Sequence, residues 1–178
     1  MIFEKTDFAG LFVSYLDKKE DERGFFSRFY CFEEFKNLGV LNSIAQANIS
    51  HNKKKYTFRG MHYQIAPHEE TKIITCLKGS LIDYVIDLRK EESSYMKSFQ
   101  IKLSECDKKA LIIPKGFAHG FFTLEDDTEA FYLVDEPFSP GAERGIKWDD
   151  PSFDLSLPAS PEVISRKDTS WKNFNEEQ

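Results

Sequence analysis

Short apolar segments, separated by Gly, Asp, Asn and Pro, recur along the chain. Segments of about four to eight residues bounded by turn-forming residues are typical of strands in all-β proteins. The clearest predicted strand, 81–89, alternates between two sets of positions. The sets are Ile82, Tyr84, Ile86 and Leu88, and Leu81, Asp83, Val85 and Asp87. Because successive side chains of a strand point to opposite faces, one face is apolar and the other carries two carboxylates, which predicts a strand that lines a cavity.

Turn-forming residues between the apolar segments predict how the strands are connected. The chain is expected to form two hairpins, 72–77 with 81–89 around Lys78-Gly79-Ser80, and 120–124 with 128–134 around Glu125-Asp126-Asp127. A further strand is expected over 110–113.

Helical signals are few. Residues 32–38 are predicted to form a short helix ended by Gly39, and the 160s hold a weak turn near Pro161-Glu162-Val163. Many short strands with few helices favour an all-β sandwich or an open barrel.

Composition limits the classes of protein that fit. The chain has 178 residues, of which 40% are hydrophobic and seventeen are Phe. This is enough apolar material for one domain over 1–178, in which about 160–178 are expected to form a polar extension with loosely packed final residues. The formal net charge of -6 argues against general nucleic-acid binding, which requires a basic surface. An anionic small ligand stays compatible with it, since local arginines can outweigh a distant acidic surface.

Targeting signals and cysteines indicate the compartment. No run of about 18 apolar residues occurs, so no membrane-spanning helix is expected. The segment 1–7 lacks the basic and apolar parts of a signal peptide. Cys31, Cys76 and Cys106 are widely spaced and contain no C-x-x-C pair, which predicts three reduced thiols. We therefore expect a cytoplasmic protein with no membrane partner.

Candidate chemistry concentrates in Arg59-Gly60-Met61-His62-Tyr63-Gln64, followed by Lys72 and later by His119. Imidazole exchanges protons near neutral pH, while arginine and lysine suit phosphate recognition and oxyanion stabilisation. Gly60 is expected to let the backbone approach a ligand closely. These residue types predict acid/base chemistry on an anionic substrate.

Several candidates have an ordinary structural alternative. Lys72 fits a solvated edge lysine and a cavity ammonium that stabilises an enolate equally well. Tyr132 is by default a buried tyrosine, although a phenol facing His62 across a cavity could deliver a proton from the opposite side. Asp168 resembles an ordinary surface acid when only its sequence neighbours are considered.

A metal site is the main chemical alternative. The segment 114–119 matches the second motif of metal-binding cupins, P-x-G-x-x-H, with His119 as its histidine. The first motif needs H-x-H, and glutamine stands in place of its second histidine. His68 and Glu70 could join His62 and His119 only if a strand bent, so we predict no metal and keep a metal-dependent cupin as an alternative.

Several motifs, taken in order, resemble the dTDP-4-dehydrorhamnose 3,5-epimerase family, which comprises sugar-nucleotide epimerases with a metal-free cupin fold. The matching segments are 21–26, 46–50, 59–64, Lys72, 79–89, 113–121, 143–151 and 164–168. The resemblance implies a cupin-type jelly roll, a homodimer and no cofactor. It also implies epimerisation at C3, C5 or both of a nucleotide-linked 4-keto-6-deoxyhexose, with dTDP as the expected nucleotide, in deoxysugar and polysaccharide biosynthesis.

Residue roles follow from the same resemblance. His62 becomes the general base, Asp168 the carboxylate that orients it, and Tyr132 the acid on the opposite face. Lys72 would stabilise the enolate, and Asp83 would position nearby polar groups. The residues expected around the nucleotide diphosphate and sugar are Arg23, Phe26, Gln46, Asn48, Ser50, Arg59, His119, Phe138 and Glu143.

Some positions depart from the family pattern. Arg28 stands where the rhamnose-pathway enzymes usually carry a glutamate, and Leu157-Pro158 where they usually carry Trp-Pro. Phe138 leaves open whether one or two centres are epimerised. The remaining alternatives are a 3,4-ketoisomerase on the same substrate class and a non-catalytic cupin that binds sugar nucleotides.

Overall fold

The computed structural model describes residues 1–40 and 43–174. These residues form two facing sheets in a cupin-type jelly roll, as predicted. The first sheet contains, in spatial order, β1 (Ile2–Lys5), β2 (Phe12–Tyr15), β10 (Lys109–Ile113), β7 (Lys72–Lys78), β12 (Thr128–Val134) and β5 (Gln46–Asn52). All neighbouring strands in this sheet are antiparallel.

The second sheet faces the first. Its strands are, in spatial order, β13 (Glu143–Gly145), β6 (Thr57–Gln64), β11 (Phe117–Thr123), β8 (Ser80–Asp87) and β9 (Ser98–Ser104), and β14 (Val163–Ile164) pairs parallel with β6. The remaining described elements are the ribbon β3 (Lys19–Asp21) and β4 (Gly24–Phe26), and the helices α1 (Phe32–Leu38) and α2 (Arg166–Ser170). None of the described helices is long and apolar enough to cross a bilayer.

Apolar side chains fill the space between the sheets on one side and cover both outer faces. The inner cluster joins residues such as Leu81, Leu103 and Leu111 from both sheets. Phe35 of α1 lies over the outer face of the first sheet, and the segment from Trp148 onward lies over the second. Because the apolar inner cluster fills only part of the sandwich, the part near β5 and β6 is left for polar side chains.

The sequence predicted the positions of the helices and strands better than it predicted which strands pair. The helix 32–38 is confirmed, since Gly39 ends it in the left-handed conformation with φ of 72°. The expected hairpins are wrong, because β7 and β8 lie in different sheets, and so do β11 and β12. Each turn carries the chain from one sheet to the other, and local turn residues do not distinguish such a corner from a hairpin.

The C-terminal segment also differs from the expectation. The weak turn predicted near 161–163 overlaps strand β14, which begins at Val163, and helix α2 follows. The expectation of loose packing is wrong for the described part of the segment, since Phe174 packs on the outer cluster of the second sheet and Asp168 is buried. The segment packs because its few apolar residues cover the apolar face of β8.

Two leucines that flank the β7–β8 corner test this topology. Leu81 is fully buried between the sheets, whereas Leu77 is 44% exposed. We expect Leu81→Ala to lower the free energy of unfolding by about 3 kcal/mol and Leu77→Ala to lower it by less than about 0.5 kcal/mol. Urea unfolding followed by circular dichroism measures both, and similar losses for the two variants would contradict the corner.

Candidate active site

A polar cavity lies between β5 and β12 of the first sheet and β6 and β13 of the second. It consists of a first lobe of about 460 Å³ and a second lobe of about 420 Å³. His62, Lys72 and Tyr132 line both lobes. These volumes fall in the range of pockets that enclose a small ligand.

His62 and Asp168 form a short hydrogen bond on the wall provided by the second sheet. The Nε2 atom of His62 lies 2.6 Å from Oδ1 of Asp168, and the backbone N–H of Gly60 donates to Oδ2 at 3.4 Å. Burial raises the pKa of the Asp168 carboxyl, but the bonds from His62 and Gly60 outweigh burial and hold this pKa below its ordinary value. A carboxylate that accepts from Nε2–H leaves Nδ1 as the nitrogen of His62 that can take a proton.

Gly60 allows a close approach between two neighbouring strands. Its φ is 130°, and a Cβ at this position would lie 2.5 Å from Cα of Gly120. The close approach is therefore to the neighbouring strand β11, where the register shifts between His119 and Phe121. Glycine at this site lets β6 and β11 meet directly beside His62.

Lys72 lies inside the cavity on a central strand, so it is not a solvated edge lysine. Its side chain is 12% exposed, and Nζ lies 3.2 Å from Oε1 of Glu70 and 3.4 Å from Nδ1 of His119. His119 in turn lies 2.9 Å from Oδ2 of the fully buried Asp83, through Nε2. Burial lowers the pKa of His119, the nearby Lys72 ammonium lowers it further, and Asp83 opposes both. Neutral His119 thus donates Nε2–H to Asp83 and accepts from Lys72 at Nδ1.

Tyr132 stands on the opposite wall from His62. It lies on β12, where it pairs in register with Asn48 of β5, and Ser50 pairs with Ala130 two positions along. The Lys72 ammonium lies 5.6 Å from the centre of the Tyr132 ring. The first sheet therefore supplies a phenol and an ammonium to the cavity, while the second sheet supplies the imidazole.

Seven of the nine predicted ligand residues divide between the two lobes. Ser50, Arg59 and His119 line the first lobe. Gln46, Asn48, Phe138 and Glu143 line the second. The Arg59 guanidinium is oriented by Asn52, since Nε donates to the Asn52 side-chain oxygen at 2.7 Å.

Two predicted ligand residues lie outside both lobes. Arg23 and Phe26 belong to the β3–β4 ribbon, whose described strands pair only with each other. The Arg23 side chain is 85% exposed, and Phe26 is 75% exposed. Arg28 also lies away from the lobes and pairs with Glu34, while Leu157 packs in the outer cluster of the second sheet.

The sequence analysis gave four residues at the site no catalytic or substrate-binding role. The buried Gln64 amide accepts from the N–H of Ser139 at 2.6 Å and donates to the His68 carbonyl at 3.0 Å, so it joins two loops at the second lobe.

Of the other three residues, Glu70 pairs with Lys72. The other two are Lys167, which bonds to Glu143 beside the lobes, and Trp171, whose ring lies near His62. The alternation that places Gln64 on the same strand face as His62 could have indicated Gln64, whereas no sequence pattern indicated the other three residues as part of the site.

Metal ligands do not gather here among the residues that the structure describes. No group of three or more His, Cys, Asp or Glu side chains in residues 1–40 and 43–174 is arranged to hold a metal ion. His68 pairs with Glu136 at 2.8 Å and Glu70 with Lys72, so neither joins His62 and His119 as a ligand set.

Inside the jelly roll, an Asp–His pair on one wall thus faces a phenol and an ammonium on the other. The family model for dTDP-4-dehydrorhamnose 3,5-epimerase matches residues 5–176. The chain therefore belongs to the dTDP-4-dehydrorhamnose 3,5-epimerase family.

Individual relatives agree over nearly the whole chain. The dTDP-4-dehydrorhamnose 3,5-epimerase of Sinorhizobium fredii is 34% identical over 99% of this chain and 91% of its own length. The structure of the Bacillus anthracis enzyme, with TDP and PPi bound, superposes with a TM-score of 0.93 at 32% identity and covers 97% of this chain and 99% of that one. The Legionella pneumophila enzyme in complex with dTDP-4-keto-L-rhamnose gives a TM-score of 0.89 at 29% identity, covering 97% and 92%.

The environment of His119 predicts a pH dependence of stability. Its folded pKa lies below the ordinary value of 6.5, so the unfolded chain binds this proton more readily. The contribution to stability is complete above about pH 6.5 and is lost as the pH falls below it, by at most about 1.4 kcal/mol per pH unit. We expect His119→Gln to flatten the fall in the free energy of unfolding between about pH 7.5 and pH 5.5. Urea titrations at both pH values measure this, and parallel curves for wild type and variant would refute it.

Proposed function

We propose that the protein epimerises C3, C5 or both of a dTDP-linked 4-keto-6-deoxyhexose without a cofactor, in deoxysugar biosynthesis. The observation that carries the proposal is the placement of His62 and Tyr132 on facing sheets of one cavity, with Lys72 beside them. Inverting a carbon centre requires removal of a proton from one face of the sugar ring and its return from the other. Binding alone does not require opposed acid and base.

The chemistry follows from the position of the carbonyl. In a 4-keto sugar, C3 and C5 are both alpha to the C4 carbonyl, so removal of either proton gives an enolate with its charge on the C4 oxygen. His62, held by Asp168, takes the proton, and Tyr132 returns one to the opposite face. Lys72 stabilises the enolate oxygen, because a fixed ammonium in a partly buried site is strongest where charge develops. Exchange with solvent then restores the protonation states of His62 and Tyr132.

The first lobe suits the diphosphate. Arg59 and Lys167 line it, and both side chains are exposed enough to reach a ligand. Since Asn52 already holds the Arg59 Nε atom, the terminal nitrogens are oriented for phosphate oxygens. The expected binding roles of Ser50, Asn48, Gln46, Phe138 and Glu143 are consistent with their places in the two lobes.

The reaction is tested by proton NMR of dTDP-4-keto-6-deoxyglucose incubated with the protein in deuterium oxide. We expect loss of the C3 signal, the C5 signal or both, which also shows how many centres react. Movement of the carbonyl to C3 would identify a ketoisomerase instead. Activity that is lost on chelation and restored by a stoichiometric metal would favour a metal-dependent cupin. Binding of the sugar nucleotide without exchange of its protons would identify a non-catalytic binding protein.

Two variants separate the proposed roles in the same assay. His62→Gln should slow both exchange and inversion by about 10²- to 10⁴-fold, because it removes the base. Tyr132→Phe should still allow deuterium to enter, since His62 can return the proton to the face it came from, but it should block inversion. A Tyr132→Phe protein that inverts the centre at the wild-type rate would overturn the assignment of the acid.

We also propose a homodimer in which the β3–β4 ribbon of one protomer completes the site of the other. Arg23 and Phe26 are expected at the ligand, yet both are exposed on a ribbon outside the cavity of their own protomer. Ile2 on edge strand β1 and Ile49 on edge strand β5 are 61% and 67% exposed, which leaves apolar surface at both edges of the first sheet.

Light scattering should give twice the chain mass of 20.7 kDa. Mixing inactive His62→Gln chains with inactive Arg23→Ala chains should restore activity to about a quarter of the wild-type value, because half of the dimers are then mixed and each has one intact site. A monomer mass would contradict the dimer. A dimer without restored activity would contradict the shared site.

A further inference from the structure

Helix α2 carries Asp168 to His62, yet it has only five residues, Arg166–Ser170. Helices this short are not stable by themselves and depend on what they pack against. At its start, the Ser165 side chain accepts from the N–H of Asp168 at 3.0 Å, and strand β14 pairs with β6 just before it. Its far end must be held as well if the carboxylate is to stay within 2.6 Å of His62.

The indole of Trp171 holds that far end, because it fills the space that a side chain at position 145 would occupy. Gly145 of β13 pairs in register with His62 of β6, so a side chain at 145 would lie beside the imidazole on the same face. Glycine leaves this place empty, and Trp171 fills it. A Cβ at Gly145 would lie 2.2 Å from Cε2 and 2.4 Å from Cδ2 of the indole.

The same indole also borders the proposed base. The ring centres of Trp171 and His62 are 6.4 Å apart, with the planes inclined at 68°. Trp171 directly follows α2, three positions after Asp168, so less than one turn of helix joins the indole to the carboxylate. The contact between the indole and Gly145 therefore fixes the distance between the Asp168 carboxylate and β6. The backbone N–H of Lys147, which bonds to the carbonyl of Lys172 at 3.3 Å, continues the attachment.

We propose that Trp171, seated on Gly145, is a positioning residue that holds the Asp168 carboxylate against His62. The inference rests on the proposed function for its catalytic consequence. A methyl group at position 145 must displace a rigid ring, and α2 moves with that ring. Since a misplacement of about 1 Å can cost about 100-fold in rate, the effect on turnover should be large.

The test compares Gly145→Ala with Gly141→Ala, a matched control in which the added Cβ meets nothing within 4 Å. We expect Gly145→Ala to lower kcat at least about 10-fold with little change in KM, and Gly141→Ala to change neither. In an Asp168→Asn background, Gly145→Ala should cause no further loss, because both changes break the same hydrogen bond. Losses that multiply would show that Gly145 and Trp171 act through general stability, which would overturn the proposal.

A second readout does not depend on turnover. Nitrogen NMR of protein labelled at histidine reports whether Nε2 of His62 keeps its partner, and Gly145→Ala should shift this signal as Asp168→Asn does. An unchanged His62 signal in folded Gly145→Ala would overturn the proposal even if the wild type showed no epimerisation. If Gly145→Ala does not fold, Trp171→Leu removes the indole from the same seat and is measured in the same two ways.

Discussion

The hydrogen bond between His62 and Asp168 is the constraint on which the rest of the site depends. A carboxylate that is 3% exposed is costly unless charged or polar donors surround it, and here the donors are the imidazole and the N–H of Gly60. Those donors belong to β6, while the carboxylate belongs to the C-terminal segment. The bond thus requires the chain to return to β6 after both sheets are built, which explains why β14, α2 and Trp171 pack there.

The Lys72 ammonium, which the first sheet supplies, is a partly buried positive charge and also needs polar partners. Lys72 is only 12% exposed, and its ammonium is balanced by Glu70. His119 stays neutral, because burial and the nearby Lys72 ammonium lower its pKa by more than Asp83 raises it. A charged His119 would compete with Lys72 and repel it. The neutral ring instead accepts from the ammonium and helps to fix its direction.

Sequence reasoning succeeded where a signal is local and failed where it is not. The end of α1 at Gly39 and the strand β8 depend on neighbouring residues, so both could be predicted. The cavity expected along the carboxylate face of β8 is wrong, since Asp83 and Asp87 are fully buried and line neither lobe. Whether a turn closes a hairpin or crosses between sheets depends on residues far along the chain, and both expected hairpins were wrong. Asp168 has surface-like neighbours in sequence, and only the family resemblance linked it to His62. Trp171 was missed because it packs on Gly145, where the missing side chain leaves no pattern in the sequence.

The sandwich itself explains why the proposed acid and base belong on different sheets. Facing sheets lie about 10 Å apart, so side chains from the two walls can reach both faces of a ring held between them. An acid and a base on the same sheet would address the same face and could exchange a proton without inverting the carbon. His62 on β6 and Tyr132 on β12 meet the geometric requirement. Lys72 is on the same sheet as Tyr132 and lines both lobes with it, so in the proposed reaction its ammonium faces the carbonyl that the two reacting centres share.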